Sequence, residues 1–181
     1  MGGADKALLP LAGRPLVAHV LERLEPQVER VLLSANGDPA RFAGLGLTVV
    51  ADAAPQGPLS GILAALGMAE RLGATHLVST PVDTPFLPGD LVPQLLLAAE
   101  AAPEGLALAA APDGDHAATA IWPVALLPAL ARFLAAGEAK VTRFADAHHA
   151  ARARFPDARA FLNLNTRADL ATASALLKDV S

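Results

Sequence analysis

The sequence predicts an α/β fold: a Rossmann-like, mostly parallel sheet flanked by helices on both faces. Two observations carry that reading. Short apolar runs alternate with amphipathic stretches along nearly the whole chain, and such alternation builds right-handed crossovers onto a parallel sheet. Asn36, Asp52 and Asp83 each stand just past the carboxyl end of a predicted strand, which is where open parallel sheets bind their ligands. Three such residues are expected to converge on one crevice.

The elements follow in order. Arg14-Pro15 opens a helix whose inward stripe is Leu16, Val17, His19, Val20, Leu21 and Leu24, since proline suits a first helical turn. Val28 to Ser34 reads as a strand closed by the turn Ala35-Asn36-Gly37, and Leu47 to Ala51 as a second strand ending at Asp52. A helix from Leu59 to Leu72 is stopped by Gly73. His76 to Ser79 forms the third strand, followed by the stiff loop Thr80 to Pro85, and Asp90 caps a helix running to about Ala101. Strands at Leu106–Ala111 and Ala118–Trp122 flank the turn Pro112-Asp113-Gly114-Asp115. Helices at Leu126–Ala136 and Thr142–Ala151, a short strand at Phe161–Leu164, and a helix from Arg167 to Lys178 capped by Thr166 complete the order.

Composition narrows the function. The 181 residues, 53% of them hydrophobic, suffice for a real core and exclude disorder for the whole. A net charge of −4 with scattered Lys and Arg argues against nucleic-acid binding. With no cysteine there is no disulfide, thiol nucleophile or thiolate-held metal. No basic-then-apolar leader pattern opens the chain. The uncharged run Ala117 to Ala131, broken by Pro123 and Pro128, is too short for a membrane span, so a cytoplasmic protein without membrane contact is expected.

Several motifs carry chemistry, each with a plainer reading beside it. Gly2-Gly3-Ala4-Asp5-Lys6 fits the second half of a phosphate-gripping loop and equally a chain end; its spacing is neither a P-loop nor G-x-G-x-x-G. Asp83 sits between Pro81 and Pro85, a hard oxygen donor held without much entropy left to lose, or an ordinary helix-approach turn. Gly57-Pro58-Leu59-Ser60-Gly61 could present free N–H groups to an anion, or simply let helix meet sheet. Asn163 and Asn165 place two amides on one side of the expected strand, suiting a heterocycle edge or an Asx turn. No histidine pair has metal spacing; His148-His149 reads as a solvated helix surface, His19 and His76 as core-edge residues, and only His116 falls near the expected site. There is no G-x-S-x-G, H-E-x-x-H or evident Ser/His/Asp set.

In this order the motifs resemble the molybdenum cofactor guanylyltransferases. That family reads L-A-G-G-x-S-x-R-M-G-G-x-D-K, a strand ending A-N, an Asp before G-P-L-A-G, P-C-D-T-P, D-H-P and F-x-N-x-N-T-x-x-D-L. The matching residues here are Met1 to Lys6, Ser34-Ala35-Asn36, Asp52, Gly57 to Gly61, Pro81 to Pro85, Asp115-His116 and Phe161 to Leu170.

The resemblance implies one domain over residues 1–181, of the nucleotide-diphospho-sugar transferase type. It implies that GMP passes from GTP to the phosphate of molybdopterin with Mg²⁺ as cofactor, before transient contact with molybdoenzymes. Gly3 and Lys6 would hold the phosphates, Asn36 and Asp52 the nucleotide, and Asp83 the metal, with Lys6 and Asp83 catalytic. Asn163 and Asn165 would face the pterin and Lys140 the acceptor phosphate.

Val82 stands where the family has Cys, and Ala117 where it has Pro. The first strand and the L-A-G-G-x-S-x-R half-loop have no counterpart in the sequence, which is expected to leave two strand edges open. A molybdopterin cytidylyltransferase, or a relative that binds without turnover, are the alternative readings.

Overall fold

A computed structural model describes residues 5–52 and 57–178. Gly3, and with it the Gly-Gly pair, lies outside the described residues. From Asp5 a single helical turn, Lys6–Leu8, leads into a small antiparallel pair, β1 (Pro10–Leu11) and β2 (Arg14–Pro15), and then α1 (Leu16–Leu24). Next come β3 (Leu32–Ser34), β4 (Thr48–Val50), α2 (Pro58–Arg71), β5 (His76–Ser79) and α3 (Leu91–Glu100). The remainder is β6 (Ala107–Ala111), β7 (Gly114–Pro123), α4 (Leu127–Ala135), α5 (Val141–Ala147), β8 (Ala151–Arg154) and α6 (Arg167–Lys178).

The strands form two separate parallel-containing layers. β3 and β4 pair in parallel, and a four-stranded sheet has the order β5-β7-β6-β8. β7 runs antiparallel to both of its neighbours, β5 and β6, while β6 and β8 are parallel. The α/β class thus stands, with a mixed sheet in place of a mostly parallel one, because the tight turn after Ala111 folds β7 straight back along β6.

Period-2 alternation divides the core. Leu106 just before β6, Leu108 of β6, and Ala120 and Trp122 of β7 pack with Leu59, Ile62, Leu66, Leu130 and Phe144 of α2, α4 and α5. Ala107, Ala109 and Ile121 face the other way, toward Val20, Leu91, Leu95, Phe155 and Phe161. Helices therefore cover both faces, as alternation within a buried strand requires. Trp122 is fully buried and donates its indole N–H to Ser79 Oγ at 2.9 Å, which satisfies the one polar atom it carries.

Several expectations are corrected. The strand expected at Phe161–Leu164 is a helical turn, Ala158–Phe161, followed by an extended link. β8, Ala-Arg-Ala-Arg, was not anticipated; Ala153 is buried while Arg154 faces out. The first expected strand shrinks from Val28–Ser34 to Leu32–Ser34 because it has a ladder on one side only. Asp90 makes no side-chain cap; Gln27, 65 residues away, accepts from Val92 N at 2.9 Å instead. His76 is exposed, and His148 reaches Glu104 at 2.9 Å while packing on Phe144.

An apolar cavity of about 860 Å³ opens between β3 and β5. Among the described residues, β3 pairs only with β4 and β5 only with β7, so both strands present an unpaired edge to it. Leu77 and Val78, though in the body of the fold, are only half-buried for this reason.

Candidate functional site

The Lys6 side chain is the centre of the site. Its Nζ forms an ion pair with Asp83 and donates to Asn165 Oδ1. Three segments, separated by 77 and 159 residues in sequence, therefore meet at one ammonium group. Lys6 is held by its own turn: Asp5 Oδ1 accepts from Ala7 N at 3.1 Å, an N-cap that fixes where the lysine stem begins.

Asp83 is buried, with 8% of its surface exposed, on the proline-flanked loop after β5. Thr84 Oγ donates to Pro81 O at 2.8 Å and lies 3.3 Å from Thr80 Oγ, which is 3.4 Å from Thr119 Oγ. These hydroxyls and the two prolines hold the carboxylate in place before any ligand arrives. Leu164 N donates to Asp83 O at 3.0 Å and Leu164 is fully buried. That bond pins the extended link so that Asn163 and Asn165 lie exposed on either side of it.

Asn165 is set by the start of α6. Asp169 accepts from Asn165 N and Thr166 N, both at 2.8 Å, while Asp169 N donates to Thr166 Oγ at 3.1 Å. This is a reciprocal capping box with aspartate in the return position. The backbone N–H of Thr166 first, then that of Asn165, holds the Asp169 carboxyl below the usual carboxylate range.

The second half of the site lies beyond β3 and β4. Asn36 Oδ1 accepts from Asp52 N at 3.1 Å, so the two residues meet as expected. Asp52 Oδ2 accepts from Ser60 Oγ at 2.7 Å, and Oδ1, though buried, has no partner among the described residues. A buried carboxylate oxygen left open in this way suits a ligand hydroxyl. Arg41 joins the halves: Nε donates to Asp5 at 2.9 Å, while the guanidinium also donates to Asp38 O at 2.6 Å and to Asn36 O. Gly61 answers its open question by packing, since a Cβ there would lie 2.6 Å from Ser34 Oγ.

Lys140 is exposed at the amino end of α5, and no contact among the described residues ties it to Lys6, Asp83 or Asn165. His116 stacks on Phe161 at 4.5 Å and bonds Asp113 at 3.0 Å. Sequence reasoning missed the roles of Arg41 and Asp5, which have no local signature. It also missed Asp169, which the T-x-x-D spacing could have revealed.

No group of three or more His, Cys, Asp or Glu side chains able to hold a metal occurs among the described residues. One buried carboxylate, Asp83, nevertheless fits Mg²⁺, which commonly takes one or two protein carboxylates and completes its shell with phosphates and water.

A lysine and a carboxylate meet beyond the carboxyl end of β5, and the comparisons supply the class of protein. Residues 1–152 match the MobA-like NTP transferase domain. A molybdenum cofactor guanylyltransferase from Cereibacter sphaeroides is 61% identical over 98% of this chain and 91% of its own. One from Bradyrhizobium sp. (strain ORS 278) is 46% identical over 97% of this chain and 86% of its own. The chain belongs to the molybdenum cofactor guanylyltransferases, a family of nucleotidyltransferase enzymes.

Solved structures support the fold. Molybdopterin-guanine dinucleotide biosynthesis protein A from Archaeoglobus fulgidus superposes with a TM-score of 0.74 at 20% identity, covering 98% of this chain and 92% of that one. The 2-C-methyl-D-erythritol 4-phosphate cytidylyltransferase of Thermus thermophilus gives 0.70 at 19% identity, covering 96% and 94%. No helix among the described residues is long and apolar enough to cross a membrane.

Proposed function

We propose that this chain, acting as one domain over residues 1–181 in the cytoplasm, transfers GMP from GTP to the phosphate of molybdopterin and releases pyrophosphate. The observation that carries the reading is the meeting of Lys6, Asp83 and Asn165. The acceptor phosphate needs no general base, since its second pKa is about 6 and it is already ionised near neutrality. One of its oxygens attacks the α-phosphorus of GTP, a new P–O bond forms, and the bridging P–O bond to the β-phosphate breaks with its electrons leaving on pyrophosphate. What opposes this is charge: two anions must meet.

Lys6 neutralises that charge from a fixed position, and Asp83 fixes Lys6 when no ligand is present. Asp83 is also the residue that would hold Mg²⁺, which when bound supplies further charge neutralisation on the phosphates. Gly3, with Lys6, would hold the GTP phosphates. Asn36 and the open Oδ1 of Asp52 would orient the nucleoside. Asn163 and Asn165 would face the pterin, and Lys140 would meet the acceptor phosphate as it approaches from solvent. Molybdoenzymes would then receive the product in transient contact.

The test is GMP transfer by wild type and Asp83→Ala, with calorimetric titration of GTP and CTP, each with and without Mg²⁺. The reading expects Mg²⁺-dependent binding of GTP alone. It also expects Asp83→Ala to keep its fold and lose at least about 100-fold in transfer, the scale of one electrostatic contribution. Near wild-type Mg²⁺-dependent transfer in that variant overturns the reading, and preference for CTP assigns the chain to cytidylyl transfer instead. A second reading, a relative that binds pterin or a partner without turnover, is favoured by the open cavity between β3 and β5; pterin binding with no Mg²⁺-dependent GTP affinity in the wild type would establish it.

A further inference from the structure

We propose that Arg41 is a positioning residue: it holds the nucleoside end and the phosphate end of the site at one fixed separation, so that GTP is gripped as a single body. This rests on the reading that puts Lys6 at the phosphates and Asn36 and Asp52 at the nucleoside. Each end has its own bonds. Asn36 Oδ1 accepts from Asp52 N at 3.1 Å and Asp52 Oδ2 from Ser60 Oγ at 2.7 Å, while Lys6 is tied to Asp83 and Asn165. The Arg41 guanidinium runs between the two.

Arg41 lies on the helical turn Pro39–Leu45, just beyond the end of β3. Its guanidinium donates to Asn36 O on one side, to Asp38 O at 2.6 Å, and from Nε to Asp5 Oδ2 at 2.9 Å on the other. The second oxygen of Asp5, Oδ1, accepts from Ala7 N at 3.1 Å. One carboxylate is thus shared between the arginine and the turn that carries Lys6. The guanidinium carbon also sits 4.4 Å from the centre of the Phe42 ring, and Phe42 is buried in one cluster with Ala7 and Leu33. Gly37, at φ +82°, makes room beside it: a Cβ there would stand 3.2 Å from Arg41 Nη1. A planar fork of fixed donors, stacked on a buried ring, serves as a spacer in a way a flexible ammonium does not.

The Arg41 and Asp5 side chains keep 29% and 27% of their surface exposed, so their ion pair adds little to folding. Its consequence is geometric. A ligand held at two ends gains affinity because the second end binds at a high effective concentration, and that gain shrinks when the separation is free to vary. Removing Arg41 leaves Lys6 on Asp83 and Asn165, and Asn36 on Asp52. Each end keeps its contacts and only their register is lost.

The test compares a whole ligand with its parts. Nuclear magnetic resonance titration of the full chain gives Kd for GTP, guanosine and inorganic triphosphate, each with Mg²⁺. In Arg41→Ala and Arg41→Lys, GTP is expected to weaken at least about ten-fold, with guanosine and triphosphate each within about two-fold of wild type. Asp5→Asn breaks the same link from its other side: its amide oxygen still caps Ala7 N, but its NH₂ cannot accept from Arg41. The same selective loss is expected there, and the double variant Arg41→Ala/Asp5→Asn should lose no more than either single one. If the Arg41 variants do not fold, Asp5→Asn decides alone. Unchanged GTP affinity, equal weakening of guanosine or triphosphate, or additive losses overturn the proposal. Wild type that binds no GTP overturns the reading of the site and the proposal with it, whereas GTP binding indifferent to Arg41 and Asp5 overturns the proposal only.

Discussion

Lys6 has two separable duties. It pairs a buried carboxylate, a structural service, and it presents charge to phosphate, a functional one. The lysine is partly exposed, at 37% of its side chain, but Asp83 is buried, so removing the lysine leaves a buried carboxylate unpaired and costs about 1–3 kcal/mol. Lys6→Ala is therefore expected to unfold at a lower urea midpoint while GMP transfer falls at least about 100-fold. Lys6→Arg separates the duties further. A guanidinium can still pair Asp83, but its planar fork cannot replace a compact ammonium that also reaches Asn165. Wild-type stability with transfer still depressed is the expected result; full activity in Lys6→Arg would show that charge alone matters there.

At the scale of elements, two helix starts make opposite demands on sequence. α6 is capped locally: Thr166 and Asp169 satisfy each other, and the Asp169 carboxyl is held below its usual range by the N–H groups of Thr166 and Asn165. A carboxyl depressed on folding stabilises above its unfolded pKa of about 3.9 and loses that contribution as pH falls through the folded value. Protection factors of the amides in residues 167–172, referenced to their intrinsic exchange rates, are thus expected to stay flat from neutrality to about pH 4 and to fall below. Asp169→Asn should show lower protection at neutral pH and no such acid step. α3 is capped at long range by Gln27, whose amide also donates to Arg23 O at 2.7 Å and Pro88 O at 3.0 Å. Gln27→Ala should lower stability by about 1–2 kcal/mol and leave transfer unchanged.

That contrast explains what was legible. β5 and α6 were bounded correctly because their signals are local: an apolar run before a proline-rich loop, and a cap followed by an amphipathic helix. The meeting of Asn36 with Asp52 was foreseeable from the strand-end rule without any distance information, whereas that of Lys6 with Asp83 was implied only by the resemblance. Gln27 was not, since nothing near it marks a cap for a helix 65 residues away. β8 was hidden because Ala-Arg-Ala-Arg alternates in polarity with no branched or aromatic residue. Phe161–Leu164 misled because one buried phenylalanine and one buried leucine imitate a strand, whereas Leu164 bonds the Asp83 loop rather than a sheet edge.

At the scale of the molecule, the cavity between β3 and β5 separates two units of unequal strength. The four-stranded sheet is gripped on both faces, by Leu66, Leu108 and Phe144 on one side and Leu91, Leu95 and Ile121 on the other. β3 and β4 rest on a smaller cluster of Ala7, Val17, Leu33 and Phe42. Among the described residues no ladder joins the two sheets, so helix packing and a few side-chain bonds, Lys6 to Asp83 and Gln27 to Val92 N among them, couple them. Cooperativity needs shared contacts, and units sharing few open at different free energies. The single tryptophan makes this measurable. Trp122 is buried within the four-stranded sheet and the chain has no tyrosine, so tryptophan fluorescence follows the stronger unit alone, whereas far-UV circular dichroism follows both. In urea the dichroism is expected to begin falling before the fluorescence shifts, and the two curves should not superimpose. Coincident transitions would show that these contacts weld the molecule into one cooperative unit, and the division drawn here from the strand pairing would fall.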